Sequence, residues 1–182
     1  MTVFSVHKVQ AAIQSVTYSS FNREFPSPLR LNLGSCDRTF PGFVSVDLCP
    51  PADIIMDLGV DPWMFEDSSV EEVRAYDVLE HLADRIATMN NLHRILRPGG
   101  RADIIVPSAT HGAGFAQDPT HKSAWSLNSF QYYEHGSFAQ KRLAQHYGIT
   151  ASFRIVSLDE TRHMDVREEV WKIHAVLEAV KS

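Results

Sequence analysis

Apolar and polar positions along this chain alternate in short blocks, and the blocks predict strands and helices in turn. Between residues 79 and 96 apolar residues recur at helical spacing, and Arg97-Pro98-Gly99-Gly100 predicts where that helix stops because proline cannot continue it. Strands that alternate with helices predict a mainly parallel sheet with helices on its faces. The predicted strands are residues 29–33, 42–48, 52–56, 70–76 and 102–106.

The two ends of the chain have patterns of their own. Apolar residues recur at helical spacing within residues 3–16, which predicts a helix in an N-terminal extension over residues 1–28. Towards the other end, residues 137–147 predict a further helix. The apolar runs 151–158 and 169–180 predict a terminal hairpin at one sheet edge, although the second run is also compatible with a helix.

Length and composition narrow the class of protein. A chain of 182 residues with 44% hydrophobic content predicts a single domain over residues 1–182. The net charge of -5 gives no general basic field, so we expect no nucleic-acid partner. No run approaches the roughly 20 apolar residues that span a bilayer, so we expect no membrane partner and a cytoplasmic location. Cys36 and Cys49 lack the paired spacing of a zinc site.

A glycine and an acid together suggest a nucleoside site. Gly34 ends the first predicted strand, and Asp47 ends the second one thirteen residues later. In a doubly wound sheet the carboxyl ends of adjacent strands form a crevice, where a glycine admits a ligand to the backbone and a carboxylate accepts ribose hydroxyls. The alternative is a tight turn at Gly34 and a solvated Asp47.

Five short segments follow one another in a characteristic order. They are LNLGS at 31–35, PGFVSVD at 41–47, DIIMDL at 53–58 with PWMFEDSSV at 62–70, VLEHL at 78–82 and LRPGG at 96–100. In this order they resemble segments of the small class I S-adenosylmethionine-dependent methyltransferases of the type 11 kind. The resemblance is to that family's "GWxNVD" second strand, its "LEHL" segment after the fourth strand and its "LkPGG" turn before the fifth.

The resemblance implies a fold, a cofactor and a reaction. The fold is a Rossmann-like, doubly wound α/β domain with a mostly parallel seven-stranded sheet and a reversed last strand. The cofactor is S-adenosylmethionine, and its methyl group goes to a small-molecule or glycan-like acceptor. Asp47 would bind the ribose hydroxyls and Asp57 the adenine amino group. The cofactor-binding residues that the resemblance implies are Asn32, Gly34, Ser35, Asp47, Leu48, Asp57, Leu58 and Asp77.

Residues 108–136 form a polar, aromatic excursion after the fifth strand, where the family places its acceptor-binding elements. A hydroxyl acceptor must lose its proton, and histidine suits that task. We therefore expect His121, oriented by Asp118, to be the catalytic base, with His81 as the second candidate.

Other interpretations of this excursion stay open. Asp118 is also compatible with a simple turn or helix cap, and Trp125 with core packing instead of an acceptor shelf. Glu80 is compatible with a solvated cap at a helix start. His111, Asp118 and His121 have suitable ligand types for a metal but no recognised spacing, so no metal is expected.

Two rival functions remain. Asn32, Cys36 and Arg38 depart from the family's acidic and glycine positions, and only eight residues separate Gly34 from Phe43, so the first crossover must be abbreviated. These departures keep a catalytically silent Rossmann-like binding module as the alternative to methyl transfer. A nicotinamide-dependent dehydrogenase is disfavoured because the chain lacks G-x-G-x-x-G. The acceptor and the oligomeric state are left open.

Overall fold

The structure is a computed structural model, and it describes residues 26–112, 114–164 and 169–181. The predicted helix within residues 3–16 lies outside the described residues. Among the described helices, none combines the length and the apolar character that crossing a membrane requires.

Seven strands form one sheet in the order β3-β2-β1-β4-β5-β7-β6. Strands β1 to β5 pair in parallel, whereas β7 runs antiparallel to both β5 and β6. The predicted doubly wound sheet with a reversed last strand is therefore confirmed. The strands are β1 (Leu29–Leu33), β2 (Val44–Asp47), β3 (Ile54–Ile55), β4 (Val70–Tyr76), β5 (Leu96–Gly112), β6 (Phe153–Met164) and β7 (Glu169–Ala179).

The described helices follow β4 and β5. They are α1 (Arg85–Ile95), α2 (Leu127–Gln131) and α3 (Phe138–Tyr147), and a 3₁₀ turn (Leu79–His81) precedes α1. The continuous helix predicted over residues 79–96 is wrong in its first part, because the Asp84 side chain accepts from two backbone N–H groups and starts α1 there. Helix α3 ends at Gly148 in the left-handed conformation.

Strands β5 and β6 extend beyond their predicted ends, whereas β7 has almost the predicted bounds. The run that was compatible with either a helix or a strand is β7, which pairs along both of its edges. Strand β5 begins at Leu96 and continues beyond the predicted residues 102–106, because β7 supplies partners as far as Gly112. The two strands of the predicted hairpin are thus confirmed.

The connection between β1 and β2 is short, as predicted, and residues 34–43 contain no helix. The guanidinium of Arg74 on β4 lies 4.7 Å from the ring centre of Phe40 and 4.3 Å from that of Phe43. These cation–π contacts fix the connection against the sheet. The Arg74 side chain on β4 thereby supplies contacts that a crossover helix would otherwise make with the sheet.

The core lies against one face of the sheet, where alternate residues of β1, β4, β5 and β7 are buried. The opposite face carries polar groups: the Tyr76 hydroxyl donates to Asp103 at 2.6 Å, and His174 Nε2 lies 2.7 Å from the same carboxylate. Period-two alternation therefore continues through the sheet centre. The buried strand residues include Leu31, Leu33, Val73, Ala75, Ala102, Ile104, Val106, Ile173, Ala175 and Leu177.

Candidate functional site

Gly34 makes the closest approach between two loops at the carboxyl edge of the sheet. Its φ is +61°, and a Cβ built on it would lie 2.4 Å from Cγ2 of Val78. Any larger side chain would therefore be strained and would also clash with the residue after Asp77. The glycine lets the loop after β1 pack directly on the loop after β4.

Asp47 closes β2 beside this glycine loop. Its carboxylate accepts from the backbone N–H of Cys36 at 2.8 Å and from that of Leu48 at 2.6 Å. Each carboxylate oxygen has a second lone-pair direction, so the group can also accept from two hydroxyls. Asp47 thus orients the loop and keeps acceptor capacity towards the crevice.

The crevice is a cavity of about 840 Å³, and seven of the residues predicted from the sequence line it. Leu58 is buried, its carbonyl accepts from the indole N–H of Trp63 at 2.9 Å, and Asp57 accepts from the backbone N–H of Gly59 at 2.8 Å. These bonds hold the far end of the cavity in place. The seven residues are Gly34, Asp47, Leu48, Asp57, Leu58, Asp77 and His81.

Asn32 and Ser35 are not at this cavity wall. Both are buried, and the Asn32 amide donates to the carbonyl of Arg38 at 3.0 Å, so it fastens the glycine loop from behind. The Ser35 hydroxyl has no hydrogen-bond partner among the described residues. The structure thus places these two side chains away from the space that a ligand would fill.

Asp77 follows β4 and adopts a positive φ of 55°, which is uncommon outside glycine. Lys172 on β7 donates to both of its carboxylate oxygens at 2.8 Å. Sequence reasoning missed Lys172, because its position opposite Asp77 depends on how the terminal hairpin joins the sheet. No local pattern marks it.

A second cavity of about 1100 Å³ lies on the other side of this ion pair. It shares Asp77, His81 and Pro119 with the first cavity, so the two spaces meet at those residues. The predicted residues Asp118 and His121 line the second cavity. Its other polar walls come from Arg38, Glu80, Gln117, His163 and Lys172.

The structure brings His81 and His121 together, with ring centres 4.9 Å apart. The Nδ1 of His121 lies 2.8 Å from the carbonyl oxygen of Phe115. Because a carbonyl can only accept, this nitrogen carries the proton, and in the neutral ring Nε2 keeps a free lone pair. His121 is therefore arranged to accept a proton or bind a cation at Nε2.

Asp118 has the turn geometry that the sequence left open. Its Oδ1 accepts from the backbone N–H and the hydroxyl of Thr120 at 2.7 and 2.6 Å, and these bonds lower the pKa of Asp118. Its Oδ2 lies 3.9 Å from His121 Nε2, which is too long for a hydrogen bond. Asp118 faces His121 without orienting its ring; the Phe115 carbonyl does that.

Glu80 is almost fully buried, so its interpretation as a solvated cap is wrong. Its Oε1 lies 3.9 Å from His121 Nε2, and burial raises the pKa of Glu80 to about 8. The backbone N–H groups of Lys122 and Ser123 donate to the Glu80 carbonyl at 2.7 and 2.9 Å, which ties the 3₁₀ turn to the loop carrying His121. The signal available in the sequence was its place next to His81.

Two other candidates lie apart from this cluster. His111 pairs with Glu160 at 2.8 Å and packs on Trp171, so it does not complete a site with His121. Trp125 is fully buried and packs on Phe130 with ring centres 5.3 Å apart. Core packing, one of the two roles left open for Trp125, is the one observed.

Known proteins resemble the chain in sequence over its centre and in fold over its length. Residues 53–104 match the family model described as Methyltransferase domain. No curated protein matches the chain.

Three of the similar solved structures come from two bacteria and one archaeon. A putative methyltransferase from Bacillus halodurans is 11% identical with a TM-score of 0.58, and the match covers 96% of this chain and 100% of that chain. A second similar structure is a complex of the Trm112 methyltransferase activator and a putative methyltransferase from Haloferax volcanii. It is 16% identical with a TM-score of 0.55, and the match covers 96% of this chain and 92% of that chain. A third is the N-methyltransferase NodS from Bradyrhizobium japonicum in complex with S-adenosyl-L-homocysteine. It is 12% identical with a TM-score of 0.54, and the match covers 96% of this chain and 87% of that chain.

The strand order, the reversed β7 and the match over residues 53–104 agree with the resemblance seen in the sequence. The chain therefore has the fold of the class I S-adenosylmethionine-dependent methyltransferases, and its residues 53–104 are similar to a methyltransferase domain.

Proposed function

We propose that the chain transfers the methyl group of S-adenosylmethionine to a small-molecule acceptor held in the second cavity. The observation that carries the proposal is that the two cavities meet at Asp77 and His81. A donor on one side and an acceptor on the other would face each other there. Methyl transfer needs that alignment, because it is an in-line displacement at the sulfonium carbon.

The first cavity suits the cofactor in size and in the order of its polar groups. Its volume of about 840 Å³ falls within the roughly 300–1,000 Å³ typical of small-molecule sites. Asp47 would accept from the ribose hydroxyls, and Asp57, beside Leu58, would accept from the adenine amino group. Gly34 leaves the backbone accessible next to the ribose. Asp77 would then lie at the methionine end, near the methyl group to be transferred.

The second cavity suits a polar acceptor. A hydroxyl of the acceptor would form a bond to the methyl carbon as the carbon–sulfur bond breaks, and the cofactor would leave as S-adenosylhomocysteine. The hydroxyl proton would pass to His121, whose Nε2 is free because Nδ1 donates to the Phe115 carbonyl. His81 and Asp118 would hydrogen-bond the acceptor. The many polar groups at the walls favour a polyhydroxylated, glycan-like molecule.

Two contacts favour the silent binding module as a second candidate. Lys172 already neutralises Asp77, and the amide of Asn32 already bonds the Arg38 carbonyl. A cofactor ammonium group would have to compete with Lys172 for Asp77. Folded protein that binds a partner but no cofactor would favour this alternative.

Calorimetric titration with S-adenosylmethionine and S-adenosylhomocysteine tests the proposal. Asp47→Asn removes the charge from hydrogen bonds to the ribose, and such bonds contribute about 1.5–3 kcal/mol, so we expect roughly 10- to 150-fold weaker binding. Asp37→Asn is the matched control, since Asp37 is exposed and does not line the cavity. If folded wild-type protein binds neither ligand at millimolar concentration, the proposal is wrong.

A further inference from the structure

We propose that Glu80, His81 and His121 form a site for a divalent transition-metal ion of the zinc type at the wall of the second cavity. One ligand atom from each residue lies within 4.8 Å of the other two. Two imidazoles and one carboxylate with an open position are a known ligand set for Zn²⁺.

The buried carboxylate is the observation that points to a cation. Glu80 is 1% exposed, and its Oε2 has no hydrogen-bond partner among the described residues. Its Oε1 faces His121 Nε2 at 3.9 Å, beyond hydrogen-bond distance. A buried carboxylate is costly unless it is paired or coordinates a metal. A cation bound by this carboxylate and by His121 Nε2 would supply the partner that the carboxylate lacks.

The hydrogen bonds behind the histidines are those of metal ligands. His121 donates from Nδ1 to the Phe115 carbonyl, which fixes the ring and leaves Nε2 as the donor atom. Nδ1 of His81 lies 3.1 Å from the Thr120 hydroxyl oxygen, whose own proton goes to Asp118. His81 Nδ1 is therefore the donor in that bond, and its Nε2 is free. Metal-bound histidines are oriented by such bonds from the other ring nitrogen.

The geometry needs only side-chain adjustment. Zinc bonds of about 2.1 Å would bring tetrahedral ligand atoms to roughly 3.4 Å from one another. That is up to about 1.4 Å closer than the 4.8 Å within which the three ligand atoms now lie. His81 is half-buried and can turn, whereas the backbone bonds of Lys122 and Ser123 to the Glu80 carbonyl hold the two segments together. The fourth position would open into the second cavity. Where the proposed methyl transfer holds, the ion would occupy His121 Nε2 and take over the role proposed for that nitrogen, because a metal lowers the pKa of a coordinated acceptor hydroxyl.

The test measures metal binding without any methyl donor. Protein without a histidine tag is stripped with EDTA and titrated with Zn²⁺ in competition with a chromophoric chelator. We expect one zinc per chain, weakened roughly tenfold or more by Glu80→Gln and by His121→Gln. His111→Gln is the matched control, because His111 is exposed and pairs with Glu160 outside the cluster; it should keep full affinity.

Cobalt gives a second readout. Co²⁺ bound to the stripped protein should show the visible absorption of a low-symmetry, four- or five-coordinate ion, and His121→Gln should lose it. His81→Gln, at the more exposed ligand, provides the same comparison if a buried variant fails to fold by circular dichroism. Absence of stoichiometric zinc, or equal affinity in folded Glu80→Gln or His81→Gln, overturns the metal site. Cofactor titration of the zinc-free protein separates this outcome from failure of the proposed function.

Discussion

Replacing Gly34 by alanine tests the packing on which the shape of the first cavity depends. The new Cβ would lie 2.4 Å from Cγ2 and 2.5 Å from Cβ of Val78, and the backbone there has a φ of +61°. Two costs therefore arise. One is the left-handed conformation of a residue with a side chain, and the other is overlap with a buried neighbour.

The two costs can be separated within this chain. A left-handed residue other than glycine costs about 1–2 kcal/mol, and overpacking of a filled site costs about 1–3 kcal/mol. Gly34→Ala should therefore lower the free energy of unfolding by about 2–5 kcal/mol. Gly42 has a φ of +81° and no atom within 4 Å of an added Cβ, so Gly42→Ala should show the conformational cost alone.

Urea unfolding followed by circular dichroism measures both variants against the wild type. We expect Gly34→Ala to be less stable than Gly42→Ala by about 1–3 kcal/mol. At about 2–4 °C for each kcal/mol in a domain of this size, thermal melts should show the same order. Equal destabilisation by the two substitutions would refute the close approach between Gly34 and Val78.

Three further substitutions give distinct outcomes. Lys172→Met frees Asp77 for a cofactor ammonium group, so calorimetry should show about two- to fivefold tighter binding of S-adenosylmethionine; weaker binding would contradict the competition. Trp125→Ala should cost about 3–5 kcal/mol in urea unfolding without changing cofactor affinity, and unchanged stability would contradict its place in the core. Burial lowers the pKa of His93 below its ordinary 6.5, so the unfolded state binds its proton first as the pH falls. Stability from His93 is therefore complete above pH 6.5 and is lost as the pH falls through the lowered pKa. Melting temperatures of His93→Gln should fall less over that window than those of the wild type, and parallel curves would rule out this contribution.

The sequence predicted best those elements whose limits are set locally. Strand β1 and strand β4 have the predicted bounds, since prolines and a glycine flank the first and an apolar-polar alternation marks the second. The helix predicted over 79–96 failed at its start because helical spacing of apolar residues does not register a capping side chain such as Asp84. Strand β5 was predicted too short, because its outer part is ordered by pairing with β7.

The residues of the candidate site also fall into two groups, those whose positions the sequence predicted and those whose positions it did not. Asp47, Asp57 and Asp77 each end or follow a strand of the parallel sheet, so the sheet topology alone brings them to one edge. Lys172 and the burial of Glu80 depend on contacts between distant segments, and no spacing along the chain encodes them. Resemblance to a family pointed to the residues that line the first cavity, and the sequence also predicted Asp118 and His121 in the second. The remaining polar walls of the second cavity depend on contacts that only the structure shows.

Because β7 is inserted between β5 and β6, the second cavity takes Val170 and Lys172 from this one strand. The first cavity takes no lining residue from it, since its walls come from positions 34 to 122. A change that disturbs the pairing of β7 would therefore deform the second cavity directly, and would reach the first cavity only through Asp77, which Lys172 holds.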